Sequence, residues 1–423
     1  MRKKLCSLLF IVILVLNIIM PLDMAASVSN KTISLMGIKH SDGADRTSWI
    51  APSAVYLQSV GNTNISQIVG FSISDILTEF NDQDMVAIHT HGAQNALLAY
   101  SADTDSYLTS SIISNAIPSG GFSQLRICYV GACSCGAGGS SANNLVNTIY
   151  SKGAICVIGY QDSVVTNCNR MMLQQFCYYI GSGYSVANAL SQAEIEVFGR
   201  YGMFGNVDNR LVRGISSVAM TNLSYSTIGT SSYALDNYDS QTLNIVEEEI
   251  LSNDGTNLCT KSGDMFSMDE CGKIYSYIRL DVGERSEYNE KLDKNSFFES
   301  FDLNGYTEEL VEHDLYDMIC MRGFINDLKT NDVIYCSVNE AGEVVAYGYP
   351  RIGNAKEVFK IYDNMSEEVI RKYVKENYNI SDIENIIIDV EEVENPVANV
   401  TYKIGDEVCE CIEMLRISLK DID

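Results

Sequence analysis

The chain has 423 residues, 46% hydrophobic and 20% charged, enough to bury a sizeable core in two domains and to exclude disorder and fibrous repeats. A formal charge of -26 repels phosphate backbones and anionic membrane surfaces, which excludes nucleic acid as a partner. Twelve basic and 15 acidic residues precede residue 241, a balance of -3 that leaves -23 for the remainder, so two chemically different halves follow.

In chain order, Arg2, Lys3 and Lys4 precede an apolar run from Leu5 to Met20, and Ala25-Ala26-Ser27 offers a cleavage site. This reads as a signal peptide over 1–26 and predicts a secreted protein. The alternative is an uncleaved membrane anchor, but Leu5 to Met20 is shorter than the ~20 apolar residues of a spanning helix and is interrupted by Asn17.

From 27 to 230 short apolar runs alternate with helical patterns, the rhythm of an α/β domain with a mostly parallel sheet flanked by helices. Strands are predicted over Thr32 to Gly37, Met85 to Thr90, Gln124 to Gly131 and Ala154 to Gly159. Helices are predicted over Ser74 to Phe80, Ser106 to Asn115, Asn143 to Lys152, Asn169 to Ile180 and Ser185 to Arg200. Gly153 is placed to end the third of them in a left-handed turn.

A polar stretch without Lys or Arg follows, and 231–241 reads as a linker. The remainder, 242–423, has an α+β pattern. Strands are expected over Asp332 to Val338, Glu343 to Tyr349, Asn385 to Val390 and Val397 to Ile404, with a helix over Ser366 to Asn377 capped by Ser366. Its acidity marks it as a solvated accessory module.

Chemistry concentrates at two predicted strand ends. His89-Thr90-His91-Gly92 closes one strand, and Ala132-Cys133-Ser134-Cys135-Gly136 follows another. Ligands and catalytic groups gather at the carboxyl ends of strands in such sheets. A thiol, an imidazole and nearby glycine N–H groups are the parts that nucleophilic acyl transfer needs: imidazole removes the thiol proton and then protonates the leaving amine. Gly92, Ser134, Cys135 and Gly136 are the expected oxyanion donors.

His91-Gly92 after one strand and Ala132-Cys133-x-x-Gly136 after the next resemble the caspase-like cysteine peptidases, above all the CHAT and clostripain-like groups. Gly138-Gly139, Gly153-Ala154 and the segment Phe176 to Arg200 extend the likeness, which covers roughly 85 to 200. The resemblance implies a Cys–His dyad with Cys133 as nucleophile and His91 as base, no metal or cofactor in the chemistry, and a protein or peptide substrate cut after a particular side chain. His91, and not His89, immediately precedes the glycine, and His89 is assigned to the other strand face. Cys135 stands where CHAT domains carry Thr, so the choice of thiol stays open between Cys133 and Cys135.

Asp162 occupies about the place where clostripain-like enzymes hold an Arg or Lys side chain, and the alternative is that it caps the following helix near Ser163. Two other classes remain open: a non-enzymatic surface or interaction protein on a degenerate peptidase domain, and a transferase using the same thioester. Zinc is not expected, because Cys133-Ser134-Cys135 and Cys409-Glu410-Cys411 lack the spacing of a zinc knuckle. Cys128, Cys156 and Cys177 lie in apolar runs and read as small buried hydrophobes.

In the second half, Leu315-Tyr316-Asp317, Arg322-Gly323-Phe324-Ile325-Asn326-Asp327 and Val338-Asn339-x-x-Gly342-Glu343-Val344 resemble PepSY-type accessory domains of secreted Gram-positive bacterial proteins. That resemblance implies a module that binds or restrains a peptidase.

Overall fold

The computed structural model describes residues 31–39, 47–59, 62, 64–101, 104–181, 183–218, 220, 230–236, 242–252, 257–260, 265–268, 274–278, 294–299, 301–311, 318–338, 344–348, 353–405 and 410–422. The expected signal peptide lies outside the described residues.

Strand β1 (Ile33–Gly37) leads through helix α1 (Thr47–Ser59) to β2 (Ile65–Val69), and helix α2 (Ile73–Asp82) leads to β3 (Met85–His89). A small sheet of β4 (Gly92–Ala93), β5 (Ala96–Ser101) and β6 (Thr104–Thr109) precedes helix α3 (Ser110–Ala116). Then come β7 (Ile127–Gly131), α4 (Leu145–Ser151), β8 (Cys156–Tyr160), α5 (Thr166–Gly181), α6 (Val186–Tyr201) and β9 (Arg210–Gly214). The main sheet has the order β2-β1-β3-β7-β8-β9, parallel except for β9.

Every residue of β1, β3, β7 and β8 is buried. Helices cover both faces of the sheet, so its strands read as continuous apolar runs and not as alternating ones. Ile33, Leu35, Ala87, Tyr129 and Ile158 face α1, α5 and α6; Met36, Ile88, Cys128, Val130 and Val157 face α2, α3 and α4. Ser72 and Asp75 form a capping box on α2, and Ser185 caps α6 through the Asn188 N–H. Gly153 is left-handed, as predicted, with φ of +114°.

One predicted helix is divided. The stretch Ser106 to Asn115 forms the end of β6 and then α3, with Thr109 accepting the Ile112 N–H at the junction. Its apolar residues fit a helical spacing, but β6 pairs with β5 over six residues, and that ladder overrides the local pattern.

The second half continues as β10 (Thr230–Asp236), β11 (Thr242–Ser252), β12 (Asn257–Thr260), β13 (Met265–Met268), β14 (Ile274–Ile278), α7 (Lys294–Glu299), β15 (Tyr306–Val311), β16 (Met318–Ile325), β17 (Leu328–Val338) and β18 (Val344–Gly348). It ends with α8 (Asn354–Ile361), α9 (Glu367–Tyr378), β19 (Ile383–Asp389), β20 (Val397–Gly405) and β21 (Glu410–Ser418). The sheet is antiparallel except where β17 meets β19. Ser366 caps α9 as predicted. Within the stretch read as a linker, 231–236 belong to β10 and pair with β11.

The two halves share a core, which differs from the solvated module expected from charge alone. Met318, Cys320, Val333, Tyr335, Ile412 and Met414 join the apolar cluster that holds α5 and α6 against the first sheet. The buried Arg322 donates to the Gly202 carbonyl at 2.8 Å, and Asn331 donates to the Arg200 carbonyl at 2.6 Å. This face is apolar and hydrogen-bonded, and Asp389, Glu391 and Glu413 meet Arg200 and Thr166 across it.

Candidate active site

Strands β3 and β7 run parallel with His89 opposite Gly131, so the residues that follow each strand leave the sheet side by side. Beyond β3 the chain turns into β4, and the His91 carbonyl accepts the Leu98 N–H at 3.0 Å. Beyond β7 it enters a tight loop that starts with Ala132 and Cys133. The two loops touch: a Cβ on Gly92 would stand 2.8 Å from the Ala132 Cβ and 2.8 Å from the Cys133 carbonyl oxygen. Glycine at 92 is therefore a packing requirement. It brings His91 and Cys133 to the carboxyl edge of one sheet, on neighbouring strands.

Both side chains are nearly enclosed, His91 at 7% exposure and Cys133 at 6%. The Cys133 sulfur receives the Val164 N–H at 3.5 Å. Immediately afterwards Ser134 adopts φ of +56°, a left-handed turn uncommon outside glycine, which swings the chain away from the thiol. Two asparagines at the start of α4 hold that loop. Asn144 Nδ2 donates to the carbonyls of Gly136, Ala137 and Gly139, and Asn147 Nδ2 donates to those of Gly139 and Ala142.

The predicted oxyanion donors divide. The Ser134 N–H donates to the Asp162 carbonyl at 3.0 Å and the Gly136 N–H to the Tyr160 carbonyl at 2.7 Å, so both are committed to the loop and neither faces an incoming carbonyl. Gly92 differs. His91 and Leu98 form a hydrogen-bonded pair, and the antiparallel alternation leaves Gly92, opposite Leu97, outside the ladder bonds.

Cys135 belongs to the other face. Its thiol is fully buried with Leu145, Val146 and Val157, donates to the Ala132 carbonyl at 3.2 Å, and is pushed up to about 12 by burial. Cys133 lies on the face of α5 and α6, so the two thiols are separated by the sheet. Cys128, Cys156 and Cys177 are buried as expected, and burial raises all three thiols.

The assignment of His89 to the opposite face does not hold. A pleat returns to the same face every second residue. His89 packs edge-on against Trp49 with ring centroids 5.0 Å apart, stacks on Tyr129, and lies over Gly131, where a Cβ would come within 2.8 Å of the imidazole. It shares the face of Cys133 and fills the space that Gly131 leaves.

A polar network lies behind the thiol that the sequence reading missed. The Tyr129 and Tyr160 hydroxyls are 2.5 Å apart, the Tyr160 hydroxyl donates to Asn169 Oδ1 at 3.0 Å, and Asn169 Nδ2 donates to the Gly131 carbonyl at 3.2 Å. All three side chains are buried, and desolvation raises both phenols, so they stay protonated. The available signal was a tyrosine on each of two adjacent strands, two register positions apart.

Asp162 stands on the segment between β8 and α5 that walls the thiol. Its carboxylate is exposed and accepts the Ser163 N–H at 2.7 Å, while its carbonyl accepts from Ser134. The helix begins only at Thr166, so Asp162 binds a local N–H beside the nucleophile loop and does not cap the helix.

No family model matches the chain, and no curated protein matches it. Solved structures do. The crystal structure of the Arg specific cysteine proteinase gingipain R is similar at 10% identity with a TM-score of 0.37, over 93% of this chain and 68% of that one. The structure of a protease is similar at 10% identity with a TM-score of 0.34, over 93% of this chain and 68% of that one. Caspase-1 from Spodoptera frugiperda is similar at 12% identity with a TM-score of 0.30, over 45% and 90%.

Proposed function

We propose that the protein is a cysteine endopeptidase that attacks peptide bonds with the Cys133 thiol, with His91 as general base and acid. The supporting observation is the paired departure of His91 and Cys133 from the carboxyl ends of adjacent parallel strands, with Gly92 packed on the Cys133 backbone. In the reaction, imidazole accepts the thiol proton as sulfur adds to the carbonyl carbon. The tetrahedral oxyanion collapses, the leaving amine takes that proton, and water then hydrolyses the thioester. The Gly92 N–H is an oxyanion donor on the His91 side.

Two finer assignments belong to the same reading. Asp162 favours Arg or Lys at the cleaved position, because its exposed carboxylate lies next to the nucleophile loop. Residues 1–26 direct the chain out of the cell, where a peptide or protein substrate is met.

A library of fluorogenic peptides varied at the cleaved position tests the chemistry and the specificity. Hydrolysis that disappears in Cys133→Ala, drops at least 100-fold in His91→Ala, and loses its basic preference in Asp162→Ala is the expected outcome. Full activity in Cys133→Ala would overturn the assignment.

A further inference from the structure

The segment that walls the thiol is fastened from three sides. The nucleophile loop holds it through the Ser134 N–H on the Asp162 carbonyl. The loop after α6 holds it through Val165 N–H to the Gly205 carbonyl and Asn206 Nδ2 to the Ser163 carbonyl. The third fastening comes from the other half of the chain. Val165 bridges to Ile412 of β21, the Thr166 hydroxyl donates to Glu413 Oε2 at 2.8 Å, and Asn167 Nδ2 donates to the Met414 carbonyl at 3.4 Å. Strand β21 ends its sheet, with β20 on one edge and this segment on the other.

What the third fastening holds in place is a closed site. Val164 and Val165 are buried with Cys133, Ile412 and Met414 in one apolar cluster. A peptide carbonyl must come within ~3–3.5 Å of the sulfur in attack geometry. The Val164 N–H occupies that neighbourhood, and 6% exposure leaves the sulfur little access. Substrate entry therefore requires the segment 162–167 to lift. The contacts with β21 must loosen when it does, because they attach to 165, 166 and 167.

We infer that β21 is a clasp: its docking on Val165, Thr166 and Asn167 keeps the segment closed over Cys133, and its release opens the site. The second half thereby regulates the thiol, an inference that rests on Cys133 being the reactive group of the proposed peptidase. A protein with two such states responds to anything that binds the open one better, including an extended substrate. The Thr166–Glu413 bond is charge-assisted and partly buried, and its loss shifts the closed-to-open balance by about tenfold or more.

The test uses the full chain and a probe that needs no hydrolysis. Iodoacetamide labelling, read by mass spectrometry of the Cys133 peptide, is compared among the wild type, Thr166→Val and Thr166→Ser. Labelling about tenfold faster in Thr166→Val, with Thr166→Ser at the wild-type rate, is expected. Cys168, fully buried in the same cluster, stays unlabelled in all three and reports an intact fold. An unchanged or slower rate in Thr166→Val overturns the clasp. A second variant, Val165→Cys with Ile412→Cys, bridges the clasp when oxidised. Labelling must then fall below that of wild type treated alongside and recover on reduction, and a rate equal to wild type also overturns it. Faster labelling of Thr166→Val with no peptide hydrolysis by any variant upholds the clasp and removes the peptidase reading. Hydrolysis by wild type with unaltered labelling does the reverse.

Discussion

Gly92 and Cys133 lie in backbone contact: a methyl group on the Gly92 Cα would stand 2.8 Å from the Cys133 carbonyl oxygen, closer than real Cβ atoms come. The obstructing atoms include backbone, which cannot rotate aside, so the tips of β3 and β7 must separate to admit a side chain. Gly92→Ala is expected to destabilise by about 1–3 kcal/mol, as overpacking does. A separation of even 1 Å between His91 and Cys133 costs on the order of 100-fold in turnover. Thermal unfolding and peptide hydrolysis, measured together, check this; a variant with wild-type kcat shows that the contact does not position the pair.

The strand tips were readable because the buried strands are nearly continuous apolar runs that stop just before His91-Gly92 and Ala132-Cys133. Helix starts at Ser185 and Ser366 were marked by side chains able to cap them, whereas the start read at Ser74 lies at Ser72. The hairpin from β5 to β6 was hidden, since Tyr107, Leu108, Ile112 and Ile113 carry helical spacing across a strand-to-helix junction. The clasp was beyond any local pattern. Thr166 and Glu413 are 247 positions apart, and nothing near either residue records the other. Ser134 and Gly136 failed as oxyanion donors for a related reason: a small residue in a loop is a possible donor until the partner of its N–H is known.

Asn169 links the end of β7 to the phenols of Tyr129 and Tyr160 within a buried site. Replacing it with Leu removes both its donor and its acceptor and leaves the Gly131 carbonyl without that bond. A loss of about 3 kcal/mol in unfolding free energy is expected, and about 1–2 kcal/mol for Tyr160→Phe. The double variant should fall short of the sum, because the two changes break one network. Urea unfolding of the four proteins measures this, and strict additivity would show that the three groups act independently.

Arg322 is the polar centre of the junction between the halves. Its Nε donates to Glu309 at 2.7 Å, Nη1 to the Thr330 carbonyl at 2.7 Å and Nη2 to the Gly202 carbonyl at 2.8 Å. Burial alone would raise Glu309, but Arg322 and Lys329 outweigh it and hold the carboxyl below its usual value of 4.5. A depressed carboxyl contributes stability that is intact at neutral pH and fades as pH falls through the range below 4.5. Arg322→Met should cost about 3 kcal/mol at pH 7 and show a weaker acid dependence than wild type. Arg322→Lys should not restore it, because an ammonium group cannot serve three acceptors in a fixed fork. Denaturant unfolding at pH 7 and pH 4 tests both statements.

The buried thiols predict an alkaline limit. Burial pushes Cys135, Cys156, Cys177, Cys320 and Cys336 from 9.0 to about 12, so each keeps its proton in the fold at pH values where the unfolded chain has lost it. Between pH 9 and 12 the unfolded state binds fewer protons than the native one, and stability must fall as pH rises. The direction is opposite to that of Glu309, and the five sites act in the same sense. Tyr129 and Tyr160, also raised by burial, add to the fall above pH 10. The thermal midpoint in reducing buffer should be flat from pH 7.5 to 8.5 and then drop progressively to pH 10.5. Replacing Cys156 with Ala removes one titrating site, so the slope above pH 9 should lessen even though the midpoint at pH 7.5 is lower from the lost packing. A midpoint unchanged to pH 10.5 would mean that these sulfurs ionise as readily inside the protein as outside it, which a sealed apolar core does not allow.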